Sequence, residues 1–329
     1  MTATVPAPTR QIRVDHPSAG YAAARVARET ANAAGLPDVL AERAAVVAAE
    51  LAGNIDKHTR GGSVFVQPSL TRRGVDVLAA DDGPGMADLD HWLLDGNTTT
   101  ATLGAGLGAV RRMATEFRIT SSPAAGTLAA ARILDPALPA PASVAGHFRL
   151  PRDGEEYCGD AVALAEVSGS RTACVADGLG HGPDAAEAAD AAMRVFTENP
   201  DHPLPHQLTN MHRALRTTRG AAVALLRVAP RRLEFCGVGN VSGATVGGSS
   251  RLLLSTPGIV GFTLPSAPVR HLTLAEDAVV VLHTDGVGTT WRGAGGARDV
   301  LLFTAELAHR HRNPRDDAAV LALRSERPA

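Results

Sequence analysis

The chain has 329 residues, 45% hydrophobic and 20% charged, with Lys+Arg 32 against Asp+Glu 34 for a formal net charge of -2. Near-balanced charge without a basic, aromatic-interleaved stripe argues against a nucleic-acid partner, and no apolar run approaches the ~18 residues needed to span a bilayer. The length exceeds one hydrophobic core and predicts two domains, and MTATVPAPTRQIRV lacks the apolar centre of a signal peptide, so a soluble, cytoplasmic protein is expected.

The predicted elements begin with an Ala-rich helix over 21–34. Pro37 and Asp38 then open a second helix running to about Lys57. Strand signals come next at about 63–70 and 75–80, joined by the turn-like TRRG. A Gly- and Thr-rich loop spans about 83–106, LGAVRRMATEF reads as helix, and RITSS-PAAG-TLAAARIL reads as a hairpin. The stretch DPALPAPAS, from Asp135 to Ser143, has no hydrophobic periodicity, which sets the expected domains at 1–135 and 144–329 with a linker at 136–143. Beyond it the apolar runs AVALAEV, TACVA, AAVALLRV, DAVVVLHT and AAVLALR alternate with Gly-rich turns and about three helices, the pattern of packed sheets flanked by helices. Cys158, Cys174 and Cys236 form no CxxC and read as small buried hydrophobes; no histidines take a zinc spacing.

In the second helix Glu50, Asn54 and Lys57 fall at i, i+4 and i+7 and so share one face, with His58 adjacent. A solvated helix face looks the same, so the set gains meaning only together with two glycine-rich turns later in the chain. Asp81-Asp82-Gly83-Pro84-Gly85 comes directly after a strand, and Gly104-Ala105-Gly106-Leu107-Gly108 opens a helix. Glycines at a helix start let backbone N–H groups approach an anion, and the helix dipole adds attraction for phosphate. The spacing is neither a Walker A loop nor a Rossmann fingerprint, and DxGxG alone is more often a turn.

Taken in order, ELAGNIDKH, DDGPGM and GAGLGAVRRMATEFRI resemble the GHKL (Bergerat) ATPase fold, and within it the anti-sigma-factor-type serine kinases of the RsbT-like kind, over about residues 10–134. The resemblance implies an N-terminal α/β sandwich that binds ATP with Mg²⁺. Asn54 would hold the Mg²⁺, flanked by Lys57 and His58. Asp81 would accept from the adenine amino group, Gly83 and Gly85 would make room for the base, and Gly104, Gly106, Leu107 and Gly108 would close over the phosphates. Thr98, Thr99, Thr100 and Thr102 lie in the implied lid; Thr99 stands as a phosphate contact, with a flexible polar loop as the alternative. One of Arg111 and Arg112 would reach phosphate. Glu50 would be the general base for an incoming Ser or Thr hydroxyl, since phosphoryl transfer asks mainly for positioning and charge neutralisation. No phosphoacceptor helix precedes the domain, so the expected acceptor is another protein, in this family a STAS-domain protein.

In the C-terminal part Asp160 (CGDA), Asp177 (VADGLGHG), Asp285 (HTDGV) and Asp316-Asp317 (RDDAAVLAL) stand at strand ends. Each alone is an ordinary turn residue; together they offer hard oxygen ligands of the kind Mg²⁺ and Mn²⁺ prefer. A pair of such ions activates water and clamps the leaving oxygen in phosphate-ester hydrolysis. The ordered set GD, ADGLGHG, TDGV and DDAAVLAL resembles the metal-dependent protein phosphatase 2C superfamily, nearest its SpoIIE-like branch with the RsbX-type enzymes, over about residues 144–325; CGVGNV is similar to the same branch. The resemblance implies an αββα sandwich. Asp160, Asp177, Asp285 and Asp316 would hold two metal ions or their waters, Asp177 centrally, with Gly178 adding its carbonyl oxygen. Asp317 matches the ligand position less well than Asp316, and His181 is either a proton donor or turn packing.

The whole reads as a switch: a Mg·ATP-dependent serine/threonine kinase joined to a Mn²⁺- or Mg²⁺-dependent phosphoserine/phosphothreonine phosphatase. The expected targets are STAS-domain regulators of bacterial partner-switching stress signalling, with a second phosphatase or a sigma-pathway regulator as a further partner. The alternative is a phosphatase whose N-terminal domain is a nucleotide-responsive binding module.

Overall fold

A computed structural model of the chain describes residues 2–59, 61–86, 89, 106–138, 145–167, 169–247, 250–293 and 299–324. It divides into two compact units, Thr9–Ala142 with Leu301–Arg310, and Met1–Pro8 with Ser143–Val300 and His311–Ala329. The first strand, β1 (Thr2–Thr4), pairs antiparallel with Leu164–Glu166 of the C-terminal unit. Sequence texture places residues 1–8 in the N-terminal domain; in the structure Thr2–Thr4 pair along the edge of a C-terminal strand. Residues 139–144, most of the expected linker, lie outside the described residues.

The N-terminal unit is built from β2 (Arg10–Arg13), α1 (Ala19–Ala33), α2 (Asp38–His58), β3 (Gly62–Pro68), β4 (Gly74–Asp81), α3 (Gly106–Met113), β5 (Glu116–Ser122) and β6 (Gly126–Leu134). The strands form one antiparallel sheet in the order β2-β3-β4-β6-β5. Alternate residues Val64, Val66, Val75, Val77, Ala79, Ala129, Ala131 and Ile133 face one way and pack with the apolar stripes of α1 and α2, including Ala23, Ala27, Ala44, Val47 and Leu51. The helix expected across LGAVRRMATEF stops at Met113, because Phe117 and Ile119 alternate into this core as strand residues. In the register between β4 and β6, Asp76 lies opposite Arg132, and the two form a bidentate pair at 2.6 and 2.9 Å with side chains 0% and 1% exposed.

The C-terminal unit contains β7 (Ala145–Leu150), β8 (Asp160–Val167), β9 (Ser170–Gly178), α4 (Pro183–Glu198), α5 (Leu204–Ala214), β10 (Ala221–Ala229), β11 (Arg232–Val238), β12 (Ser242–Val246), β13 (Leu252–Leu254), β14 (Arg270–Thr273), β15 (Val279–His283) and β16 (Ala318–Arg324). A further helix, α6 (Val300–Glu306), groups mostly with the N-terminal unit. A six-stranded sheet, β1-β8-β9-β10-β11-β14, stacks on a five-stranded one, β13-β12-β15-β16-β7. Helices α4 and α5 bury Ala189, Met193, Phe196, Leu208 and Met211 against Ala161, Ala163, Ala176, Val223 and Leu225 of the six-stranded sheet. Strands covered on both faces explain the unbroken apolar runs, such as the wholly buried opening of β8. The three cysteines are free and buried. Among the described residues no helix is long and apolar enough to cross a membrane.

Candidate active sites

In the C-terminal unit, chain direction alone brings two carboxylates together. β8 begins at Asp160, β9 ends at Gly178, and their antiparallel register sets Asp160 opposite Asp177. The five-stranded sheet does the same: Asp285 comes just after β15 and Asp316 precedes β16, strands that pair antiparallel through His283 and Val320. Asp177, Asp285 and Asp316 line one cleft of about 320 Å³ with Arg152, Leu179, Gly180, His181, Ala222 and Asn240. Asp160 lies just beneath, 1% exposed. Its Oδ2 accepts from Thr284 Oγ1 at 2.7 Å, and Thr284 Oγ1 accepts in turn from Ala319 N–H at 2.9 Å, which ties the carboxylate of one sheet to the backbone of the other. Arg149 of β7 donates to the Asp160 carbonyl oxygen.

Asp317 has a different task. Its two oxygens accept from Arg152 N–H at 2.8 Å and Gly159 N–H at 2.9 Å, so it fixes the segment entering β8 while Asp316 faces the cleft. The glycines beside the acids are packing requirements. A Cβ on Gly178 would lie 2.0 Å from Ala185 O and one on Gly286 1.9 Å from Asp317 O, so side chains there would push the start of α4 and the Asp316-Asp317 turn off the strand ends.

Crowded acids away from water resist ionisation. Burial, reinforced by Asp177, holds Asp160 well above the usual carboxylate range. Burial and then Asp285 push Asp177 up to about 7, and burial and Asp285 also raise Asp316. A divalent cation relieves this repulsion, and the donor set is all hard oxygen, which suits Mg²⁺ or Mn²⁺. Among the described residues no three acidic, imidazole or thiol side chains close on a single point. Between Asp177 and Asp285 stands instead the Asn240 amide, whose Nδ2 donates to Asp177 Oδ2 at 3.1 Å and to Asp285 Oδ2 at 2.7 Å.

Two further cleft residues carry charge. Arg152 is half-buried beside Asp316, and His181 meets the Glu155 carboxylate through Nδ1 at 3.0 Å. Sequence reasoning names His181 but misses Arg152, Glu155, Thr284 and Arg149, and it notes Asn240 only within CGVGNV. A cation just upstream of CGDA is the one local signal that points to Arg152.

In the N-terminal unit the last turns of α2 abut the end of β4. A Cβ on Gly62 would lie 2.9 Å from Ile55 and 3.0 Å from Asp81, and one on Gly83 would lie 2.5 Å from Thr59. The turn holding Asn54 therefore neighbours the Asp81–Gly83 turn. Asp81 is buried, its Oδ1 accepts from Gly83 N–H at 2.8 Å, and burial is the main cause that raises its pKa. Gly85 has φ +65°, and a Cβ there would strike Ser122 O at 2.3 Å. Glu50 and Asn54 are half-buried, whereas Lys57 and His58 are exposed. Among the described residues the buried Asn54 Nδ2 has no hydrogen-bond partner, and a turn of the amide would set its oxygen there instead. Gly106 opens α3 with φ +60°, and Leu107 and Gly108 are buried where α3 packs on α2. Thr98, Thr99, Thr100, Thr102 and Gly104 lie outside the described residues.

These two constellations on these two folds define a GHKL-type ATPase domain joined to a phosphatase 2C-type domain. Residues 15–132 match the family described as histidine kinase-like ATPase domain, to which the N-terminal part of the chain belongs, and residues 168–295 match stage II sporulation protein E (SpoIIE). It is 33% identical over 108 residues to the serine/threonine-protein kinase RsbT of Bacillus subtilis (strain 168), covering 32% of this chain and 81% of RsbT. It is 27% identical over 147 residues to the phosphoserine phosphatase RsbX of the same organism, covering 43% of this chain and 72% of RsbX. Of solved structures, RsbX in complex with magnesium matches with TM-score 0.50 at 22% identity over 55% of this chain and 94% of that one, a likeness of fold. A chain from work on the bacterial stressosome, described as a modular system adapted to control secondary messenger signaling, matches with TM-score 0.50 at 30% identity over 54% of this chain and 97% of that one.

Proposed function

We propose that the chain is a two-way phosphorylation switch, a Mn²⁺- or Mg²⁺-dependent phosphoserine/phosphothreonine phosphatase and a Mg·ATP-dependent serine/threonine kinase, acting on STAS-domain proteins of a partner-switching pathway. The observation that carries the phosphatase half is the meeting of four strand-end carboxylates from two sheets beside one arginine. Asp160, Asp177, Asp285 and Asp316, with the Gly178 carbonyl, are the residues for two divalent ions. Such ions would supply charge neutralisation and water activation. Arg152 faces the phosphoryl oxygens of the substrate and stabilises the charge that develops on them. His181, its Nδ1 occupied by Glu155, presents its other ring nitrogen to protonate the departing serine or threonine oxygen.

For the kinase half, Asn54, with Lys57 and His58 nearby, serves the Mg²⁺ and phosphates, and Asp81 receives the adenine amino group. Gly83 and Gly85 leave room for the base; Thr99, Gly104, Gly106, Leu107 and Gly108 close over the phosphates. Glu50 takes the proton of the acceptor hydroxyl. The kinship with RsbT and the contact of the Asn54 helix with the Asp81–Gly83 turn support this reading.

The test is incubation of the full chain with Mg·ATP and a STAS-domain protein, with phosphate on the target tracked by mass spectrometry. The Asp177→Asn chain accumulates phosphotarget, the wild type with added Mn²⁺ removes it, and absence of any phosphotarget with either chain defeats the kinase half. The alternative reading is that the N-terminal unit binds nucleotide and a partner without transferring phosphate. Glu50→Gln decides: loss of phosphotarget with nucleotide binding intact supports the kinase, and unchanged partner behaviour supports the binding module.

A further inference from the structure

Asn240 stands just after β11, and its amide nitrogen touches one acid from each sheet, Asp177 at 3.1 Å and Asp285 at 2.7 Å. Both atoms it meets are carboxylate oxygens, so the face turned to them is the N–H₂ donor and not the carbonyl. An N–H donor has no lone pair for a cation. A hard ion held by Asp177 and Asp285 would draw on the same two carboxylates, and the positive N–H₂ end of the amide lying between them would repel it. Amide and cation therefore compete for one pair of acceptors.

We propose that Asn240 is a positioning residue that acts as a polar stand-in for the cation: its amide clasps Asp177 and Asp285 whenever no ion holds them, and yields when the ion binds. The inference rests on reading these two acids as metal ligands. An interaction that stabilises only the ion-free form weakens ion binding by the same factor, so the clasp keeps the acids in place at the expense of affinity.

The test is thermal unfolding of the full chain in chelator and in saturating Mn²⁺, with Mn²⁺ affinity measured by calorimetry. Asn240→Ala should lower the unfolding midpoint in chelator, leave it unchanged in Mn²⁺, and tighten Mn²⁺ binding by roughly tenfold. Asn240→Asp, close in shape but adding a third charge, should lower the chelator midpoint further and tighten Mn²⁺ further. Asn240→Ser, which retains one donor, should fall between wild type and Asn240→Ala and serves if the latter does not fold in chelator. Equal losses with and without Mn²⁺, no loss in chelator, or weaker Mn²⁺ binding would each overturn the proposal. A wild type whose midpoint ignores Mn²⁺ would remove the metal-centre reading itself, and the proposal with it.

Discussion

Replacing Asp177 by Asn should make the chain more stable in chelator while destroying its response to Mn²⁺. Burial and the neighbouring Asp285 raise the Asp177 carboxyl from an ordinary 3.8 to about 7. A carboxyl raised in the folded state binds its proton more tightly there than in the unfolded chain. Its ionisation therefore destabilises the fold above about pH 7, and the penalty lifts progressively as pH falls from about 7 towards 3.8. At 1.36 kcal/mol per pH unit, the full penalty at pH 8 is about 4 kcal/mol as an upper figure. Asn keeps an oxygen for the Asn240 N–H and carries no charge, so the variant should recover much of that penalty at pH 8 and less than half as much, about 1.6 kcal/mol as an upper figure, at pH 5. For a domain of this size the gain is an upward shift of order 10 °C in Tm. Wild type in Mn²⁺ at a hundred times its Kd gains about 2.7 kcal/mol, and the variant should gain almost none. The two units need not unfold together, so the transition to monitor is the one that moves with Mn²⁺ in wild type. If Asp177→Asn lowers the chelator midpoint at pH 8 as much as at pH 5, the acids do not repel as described.

Arg152→Ala should reduce kcat/KM for a phosphoprotein about 10²–10³-fold, and Arg152→Lys should restore only part, because an ammonium lacks the planar fork that meets two phosphoryl oxygens; steady-state kinetics decides. His181→Ala should slow phosphoserine hydrolysis far more than p-nitrophenyl phosphate hydrolysis, whose leaving group departs without a proton; equal losses would reduce His181 to turn packing. Asp76→Ala leaves Arg132 charged and buried and should cost the N-terminal unit about 3–5 kcal/mol in urea unfolding, and no loss would mean that the pair contributes little where it lies.

Whether a feature is legible in the sequence depends on whether its contacts are local. The strand-end acids can be found because an apolar run broken by Asp-Gly marks its own end, and four such ends on two antiparallel sheets have few places to go. The α2 face is legible for a similar reason, since helical spacing fixes Glu50, Asn54 and Lys57 on one side. Features decided by register and tertiary packing are not legible. Asp76 alternates with valines like any strand residue, and only the pairing of β4 with β6 sets it against Arg132. Thr284 meets Asp160 across 124 residues of chain, and Asn240 meets Asp177 and Asp285 across 63 and 45, separations over which no local pattern speaks. A helix through MATEF does not form, because Phe117 and Ile119 fit either a helical or a strand period until the sheet claims them.

If the C-terminal unit binds divalent ions as proposed, the acid cluster gives them a physical role beyond chemistry. Asp160 and Asp177 belong to one sheet and Asp285 and Asp316 to the other, so repulsion among them acts to part the layers at that end. Neutral groups oppose it: the Thr284 hydroxyl between Asp160 and Ala319, and the Asn240 amide between Asp177 and Asp285. These dipoles offset only part of the repulsion among the acids, whereas a divalent cation would offset it outright. On the proposed metal-centre reading, ion binding to acids from both layers would then also help to close the sandwich. Loops that share the cleft, such as Leu179–His181 at the entrance to α4, should then tighten when the ion enters, which hydrogen exchange in chelator and in Mn²⁺ would detect as added protection at both sheet ends together.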